Sequence, residues 1–303
     1  MTTNEIDFNL TIIVPIKNME RQLSRLLGWL LDADKANVET ILICNGCTDR
    51  TFEVLSDFVS DHNLNYSIVV NSEVKGPGQA RNLGIKMARG KYILFWDADD
   101  YGLVSIAVEI LSEELDDSKL IVCNYKHIQK NSSIISSQWG KSRTENLFKF
   151  AINPGIWRVI FNRQTVENCQ FGDSLMGEDQ VFLSQVLTIN PSINFVDKVI
   201  YEYYSDAPNQ LTANRANLAH IPESLEQMLK TLKSKPDITA KLLSIMFLRQ
   251  IATLLMRGSL RLKVKATSLL LRFIFIGAKD QNIGKKLFEQ VKLIIMIITR
   301  VVK

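Results

Sequence analysis

Three carboxylates, Asp97, Asp99 and Asp100, fall within four positions just after the apolar run KYILFW. Like charges this close repel unless a cation or solvent sits among them. Asp97 and Asp99 are two apart, so in an extended turn both reach the same side of the strand end, with Ala98 between them. Paired carboxylates of this kind suit Mg²⁺ or Mn²⁺, hard ions that take oxygen ligands and share their site with phosphates. The competing reading is an acidic turn bathed in water.

Two other groups have chemistry to offer. Arg81 lies in GPGQARNLG, on the first turns of an expected helix, where a guanidinium can meet a phosphate or a base. The glycine spacing is not G-x-G-x-x-G, and the segment follows the third strand rather than the first, which argues against a dinucleotide loop. Glu178 and Asp179 open a helix in GEDQVF, where free N–H groups and the dipole favour an ionised carboxylate. Such a carboxylate beside a sugar hydroxyl can act as a general base. Cys44 and Cys47 form a single C-x-x-C with no second Cys or His pair nearby, so zinc is disfavoured and a redox motif is the weaker reading.

The elements that must position these groups follow from periodicity. LTIIVPI (10–16) is a continuous apolar run, as expected of a strand covered on both faces. Leucines at helical spacing follow over 19–31. VETILIC (38–44) is the second strand, and Thr48 or Asp49 caps a helix reaching His62. NYSIVVN (65–71) is the third strand. Gly76-Pro77-Gly78 opens a helix with proline in its first turn, and Gly90 ends it. KYILFW (91–96) is the fourth strand. Four strands alternating with three helices predict a parallel α/β sheet, which binds ligands off the carboxyl ends of its strands. Pro15 to Lys17, Asn45 and the aspartate cluster all lie at such ends.

Beyond this the pattern loosens. LIVCNYKHI (120–128) and SIISSQWG (133–140) read as a hairpin, 154–161 as a short strand or turn, 177–189 as a helix and 193–204 as strands. Four helical segments follow near 215–234, 237–257, 259–278 and 283–301.

Composition is that of an ordinary folded protein, with 46% hydrophobic and 22% charged residues in 303. The opening MTTNEIDFNL lacks the basic start and apolar stretch of an export signal, so a reducing, cytoplasmic setting with free thiols is expected. No transmembrane helix is expected. The net charge of +4 conceals an asymmetry. Residues 221–303 carry 16 Lys and Arg against five Asp and Glu, while the first 220 carry 20 against 27. A basic tail behind an acidic body points to an anionic surface. The segment MRGSLRLKVKATSLLLRFIF and the last helix, with Lys285, Lys286, Lys292, Arg300 and Lys303, combine apolar and cationic faces as interfacial helices do. The alternative is a helical bundle packed on the core. Nucleic acid is not expected, because few aromatic residues sit among the basic ones.

Taken together, these residues resemble an inverting family 2 glycosyltransferase with a GT-A fold. The family's opening P-x-Y-N, often followed by x-E, appears as Pro15-Ile16-Lys17-Asn18-Met19-Glu20. Its D-D/N-G-S-T-D appears as Cys44-Asn45-Gly46-Cys47-Thr48-Asp49, which makes the C-x-x-C incidental. G-x-x-x-A-R-N-x-G is met by Gly76 with Ala80 to Gly84. A-x-G-x-Y-I-x-F-x-D-x-D-D is met from Ala88 to Asp100, and E-D-x-x-F by Glu178, Asp179 and Phe182. The ordered set spans roughly residues 10–205.

The resemblance implies roles. Asp99 would ligate a divalent cation bridging the phosphates of a nucleoside-diphosphate sugar, with Asp97 near the ribose and the metal shell. Pro15, Lys17, Glu20, Asn45, Arg81 and Ala98 would line the donor pocket. Asp179 would take the acceptor proton, and Asp100 and Glu178 would give support. Two departures stand out: strand two ends without an acid, and Lys17 replaces an aromatic. Both leave the base open, with a UDP-sugar first. The implied architecture is a mostly parallel sheet flanked by helices over 1–212, nucleotide-binding over 1–100 and acceptor-facing over 101–212, then a basic helical region over 213–303. The implied activity is metal-dependent, inverting hexosyl transfer to a glycan or lipid-linked acceptor in cell-surface polysaccharide, lipopolysaccharide or capsule synthesis, peripheral at the inner face of the cell membrane. The rivals are a nucleotide-sugar-binding protein without catalysis and a sugar nucleotidyltransferase.

Overall fold

The computed structural model describes residues 8–62, 66–71, 76–113, 119–129, 132–136, 139–189, 191–205, 211, 214–232 and 237–278. In chain order the first elements are β1 (Leu10–Ile16), α1 (Ser24–Lys35), β2 (Glu39–Asn45), α2 (Thr51–Asp61), β3 (Ser67–Asn71), α3 (Gly76–Met87) and β4 (Tyr92–Phe95). Then come β5 (Tyr101–Gly102), α4 (Val104–Ser112), β6 (Leu120–Gln129), β7 (Ser132–Ser136), α5 (Arg143–Ile152), β8 (Val159–Asn162), α6 (Arg163–Val166), α7 (Glu178–Thr188) and β9 (Ile193–Tyr204). Helices α8 (Ile221–Leu232), α9 (Asp237–Arg257) and α10 (Leu260–Ala278) complete the set. The expected helix over 283–301, with Lys285, Lys286, Lys292, Arg300 and Lys303, lies outside the described residues.

Contacts divide the chain into two compact units. The first comprises Met1–Trp139, Gly155–Asp173 and Pro191–Pro208; the second comprises Gly140–Pro154, Ser174–Asn190 and Asn209–Lys303.

The first unit holds one sheet in the order β3-β2-β1-β4-β8-β6-β9-β5, with β7 paired to β6. β1 pairs in parallel with both β2 and β4, and β2 with β3. Six of the seven β1 residues are buried, because helices cover both faces, and Pro15 at the carboxyl end is the exception. β4 then pairs antiparallel with β8, and β8 with β6, while β6 and β9 run parallel. The sheet is thus parallel in its first half and mixed in its second. A β-carbon on Gly84 would lie 2.4 Å from Ile13 Cγ2, so glycine lets α3 approach β1 closely. Trp29 and Trp96 meet edge to face at 5.1 Å within the core; burying each large apolar side chain contributes about 1.5–3 kcal/mol.

The expected helix over 19–31 is shifted to Ser24–Lys35. The Met19 N–H donates to Thr51 Oγ1 (2.7 Å) and the Glu20 N–H to Asp49 Oδ2 (3.2 Å), so these donors serve the neighbouring loop instead of a helix. Residues 156–158 form a 3₁₀ turn before β8, and 193–204 is one strand of 12 residues. The expected helix over 215–234 is a 3₁₀ turn, Arg215–His220, followed by α8, with Asn214 Oδ1 capping the turn through the Ala216 N–H (3.0 Å).

The second unit is helical in its described part, built from α5 and α7 to α10. α9 packs against α5, α7, α8 and α10. Residues 239–257 of α9 are long and apolar enough to cross a membrane, and 61% of that stretch is buried.

Candidate active site

The sheet's carboxyl edge gathers most of the residues singled out from the sequence. Two loops meet there. The loop after β1 carries Lys17, Asn18 and Glu20; the loop after β2 carries Gly46 to Arg50. The Thr48 N–H donates to Asn18 Oδ1 (2.8 Å), and the Arg50 N–H to Glu20 Oε2 (3.4 Å). Cys47 Sγ lies 3.6 Å from the Ile16 carbonyl. All four cysteines are free thiols. Asn18 and Gly46 both take positive φ, 51° and 63°, which turns the chain sharply at the strand ends. Lys17 is exposed, whereas Pro15 and Glu20 are half-buried.

Asn45 is buried at the last position of β2. Its Nδ2 donates to the Gly76 carbonyl (2.8 Å), which anchors the start of α3. Its Oδ1 is buried and has no protein partner. A buried acceptor without a donor carries a desolvation cost of about 1–3 kcal/mol, which a ligand N–H would remove.

Arg81 is buried on the second turn of α3 and lies 5.4 Å over the Phe171 ring. Its Nη2 reaches Asp97 Oδ1 at 2.6 Å. Asn82, the next residue, exchanges two hydrogen bonds with the backbone of Phe171, at 3.1 and 2.8 Å, which fixes this end of the helix.

The aspartates form a tight turn rather than an extended one, with the Asp100 N–H donating to the Asp97 carbonyl (3.3 Å). Asp97 and Asp99 are half-buried, while Ala98 and Asp100 are buried. Asp100 faces inward. Its Oδ2 accepts from the Tyr201 hydroxyl (2.7 Å) and its Oδ1 from the Tyr204 N–H (2.7 Å). Burial, with the charges of Asp99 and Asp97 adding to it, pushes the Asp100 carboxyl up to about 8. The Tyr201 hydroxyl also accepts from the Asp97 N–H (3.2 Å), and burial raises its own pKa well above the ordinary value. Arg25 Nη1 donates to the Asp99 carbonyl (2.7 Å), with its guanidinium 3.7 Å over the Tyr204 ring.

Arg25, Tyr201 and Tyr204 were not singled out from the sequence. Arg25 sits in what reads as a routine amphipathic helix. The tyrosines show only as aromatic residues in an alternating strand; the Tyr101–Glu202 and Gly102–Tyr201 pairs of β5 and β9 are what bring them to the turn.

The donor set at the turn is all carboxylate oxygen, which fits a hard divalent cation rather than zinc or copper. Asp100 is committed to the two tyrosines, and Asp97 meets Arg81. Asp97 and Asp99 are the carboxylates that would hold such a cation, and a site with so few protein oxygens would be completed by phosphate and water. No cluster of three or more Asp, Glu, His or Cys suited to a metal occurs among the described residues.

Glu178 and Asp179 lie in the second unit, at the start of α7. Gly177 precedes them with φ 83°, and the Met176 carbonyl accepts from Ser224 Oγ (2.9 Å), so α8 holds the entry of α7. Glu178 is buried and Asp179 half-buried. Both Asp179 oxygens accept from Gln180, Oδ1 from its N–H (2.8 Å) and Oδ2 from its Nε2 (3.2 Å).

Sheet order, the crossed loops and the aspartate turn define a GT-A nucleotide-diphospho-sugar transferase fold, and comparison with known proteins agrees. Residues 11–167 match Glycosyl transferase family 2, and the chain belongs to that family. It is 28% identical over 243 residues to the uncharacterized glycosyltransferase EpsJ of Bacillus subtilis, covering 74% of this chain and 68% of EpsJ. It is 25% identical over 218 residues to the glycosyltransferase GlyA of Streptococcus pneumoniae, covering 65% of this chain but only 31% of GlyA. The crystal structure of S. aureus TarS 1–349 with UDP-GlcNAc superposes with a TM-score of 0.66 at 18% identity, covering 89% of this chain and 81% of that one. The mannosyltransferase PcManGT of Pyrobaculum calidifontis, with GDP-Man and Mn²⁺, gives 0.55 at 16% identity, covering 96% and 86%.

Proposed function

We propose that this chain transfers a sugar from a nucleoside-diphosphate sugar, a UDP-sugar first, to a hydroxyl of a glycan or lipid-linked glycan. The transfer inverts the anomeric carbon and serves synthesis of a cell-surface polysaccharide, lipopolysaccharide or capsule on the cytoplasmic side. The observation that carries this reading is the turn at Asp97–Asp100, with Asp97 on Arg81 and two half-buried carboxylates at the edge of a parallel sheet. The UDP-GlcNAc complex of TarS shows that a protein of this fold takes a uridine nucleotide.

Each residue has a task. Asn45 Oδ1 accepts an N–H from the base; uracil and guanine each offer one. Arg81, Pro15 at the end of β1, and Lys17 and Glu20 of the loop that follows line the donor. Ala98 keeps the floor of the turn small and apolar. Asp99, with Asp97 beside it, would hold Mn²⁺ or Mg²⁺, and that cation would supply positive charge to offset the charge on a departing diphosphate. Asp179 accepts the proton of the acceptor hydroxyl. The new carbon–oxygen bond forms as the carbon–phosphate oxygen bond breaks, with attack opposite to departure and no covalent enzyme intermediate. Glu178 supports the start of α7.

Calorimetric titration with UDP, GDP, CDP and dTDP, each with and without Mn²⁺, tests the donor site. Tight, cation-dependent binding of one nucleotide is expected. Absence of binding to all four would overturn the reading. The anomeric configuration of the product, read by NMR, tests inversion.

A further inference from the structure

α10 has two apolar faces, one buried and one largely exposed. Ala266, Leu269 and Phe273 are buried, with Phe273 stacked on Phe247 of α9 at 4.9 Å. Leu260, Val264, Leu271 and Phe275 are exposed at 80, 63, 63 and 67%. At about 3.6 residues per turn these four fall within an arc of roughly 60°, opposite the buried face. The stripe runs about 22 Å at a rise of about 1.5 Å per residue. Exposed apolar residues scattered singly are ordinary, but four aligned on one helix are not.

The charges around the stripe are all of one sign. Arg261, Lys265 and Arg272 lie along one border and Lys263 along the other, and α10 contains no acidic residue. Arg272 pairs with Glu226 of α8. Arg261, Lys263 and Lys265 are exposed and form no ion pair among the described residues. Their long stems can lie along an apolar surface while the charged ends reach outward.

We propose that this face of α10 docks on an anionic phospholipid surface. Leu260, Val264, Leu271 and Phe275 enter at the level of the upper acyl chains, and Arg261, Lys263 and Lys265 meet lipid phosphates. Charge complementarity selects this occupant. A convex stripe bordered on both sides by cations suits a laterally continuous layer with negative headgroups. The proposal stands independently of the sugar chemistry, since it needs neither donor nor acceptor.

The test is co-sedimentation of the full chain with vesicles of phosphatidylcholine mixed with phosphatidylglycerol, and with phosphatidylcholine alone. The wild type is expected to bind the mixed vesicles and to be released by high salt. The variant carrying Leu260→Gln, Val264→Gln, Leu271→Gln and Phe275→Gln is expected to lose at least about tenfold in affinity. Circular dichroism checks its fold, and the pair Leu260→Gln and Phe275→Gln serves if four changes prove too many. Arg261→Glu, Lys263→Glu and Lys265→Glu together should abolish the preference for the anionic vesicles. Wild-type protein that ignores both vesicles, or an apolar variant that binds as well as wild type, overturns the proposal. So does a dimer in sedimentation velocity that the apolar variant dissociates while neither form binds vesicles, because a second copy then covers the stripe.

Discussion

The turn at Asp97–Asp100 and the outer face of α10 each crowd like charges, and the two regions handle them in opposite ways. At the turn the protein fixes each position: Arg81 meets the Asp97 carboxylate, the Tyr201 hydroxyl and the Tyr204 N–H hold that of Asp100, and Arg25 holds the backbone carbonyl of Asp99. On α10 three cations stand in solvent beside an apolar stripe with no acid on the helix. The difference is between a site held to a fixed geometry by its own protein and a surface left for something else to complete. Atom placement matters for transferring a glycosyl group, where small misplacement is costly. Adhesion to a fluid layer needs only sign and apolar area.

Changes at residues held in place should therefore have sharp, separable effects. The largest is expected for Asp179→Asn. Loss of a general base typically costs about 10²–10⁴-fold in rate, while donor affinity by calorimetry should stay at the wild-type value. An active variant would remove Asp179 from the mechanism. Next is Asp99→Asn, which should weaken the Mn²⁺-dependent part of nucleotide binding by at least about tenfold, or roughly 1.4 kcal/mol. Unchanged affinity would remove Asp99 as a ligand. Smaller again is Tyr201→Phe. It takes a donor from buried Asp100 and an acceptor from the Asp97 N–H. Leaving such groups unsatisfied costs about 1–3 kcal/mol, measurable by urea titration. If stability is unaltered, Tyr201 does not tie down the turn.

How much of this was legible depended on whether neighbours in space were also neighbours in pattern. β1 to β4 and α1 to α3 were legible because an unbroken apolar run and a leucine repeat each have one good interpretation in a parallel sheet. The aspartate turn was legible because three carboxylates after an apolar strand are rare. The second half of the sheet resisted. VSIAVEIL of α4 is rich in β-branched residues and has no distinctive polar face, so nothing marked it as a helix. The parallel β6–β9 pair joins residues more than 70 apart, with irregular register between Val122 and Tyr125. Asp100 was expected to support the cation site; its inward turn depends on Tyr201, which no local pattern links to it.

That inward turn gives the subtlest test, one of sign. The Asp100 carboxyl keeps its proton to about pH 8, against an ordinary value of 3.8, because burial disfavours the charged form. The native state thus binds one more proton than the unfolded chain across this window, and stability must fall as pH rises through it. The contribution is complete below about pH 4 and gone once pH passes about 8. Thermal melts of the cation-free protein from about pH 5 to about pH 8 should show the midpoint falling. Asp100→Asn cannot ionise, so its midpoint should fall less. Nearly parallel curves for the two proteins would mean that Asp100 is ionised in its buried position. In that case Arg25 and Arg81 reach the turn strongly enough to keep all three carboxylates charged, and the aspartate turn would resemble α10 in storing unrelieved charge until a ligand arrives.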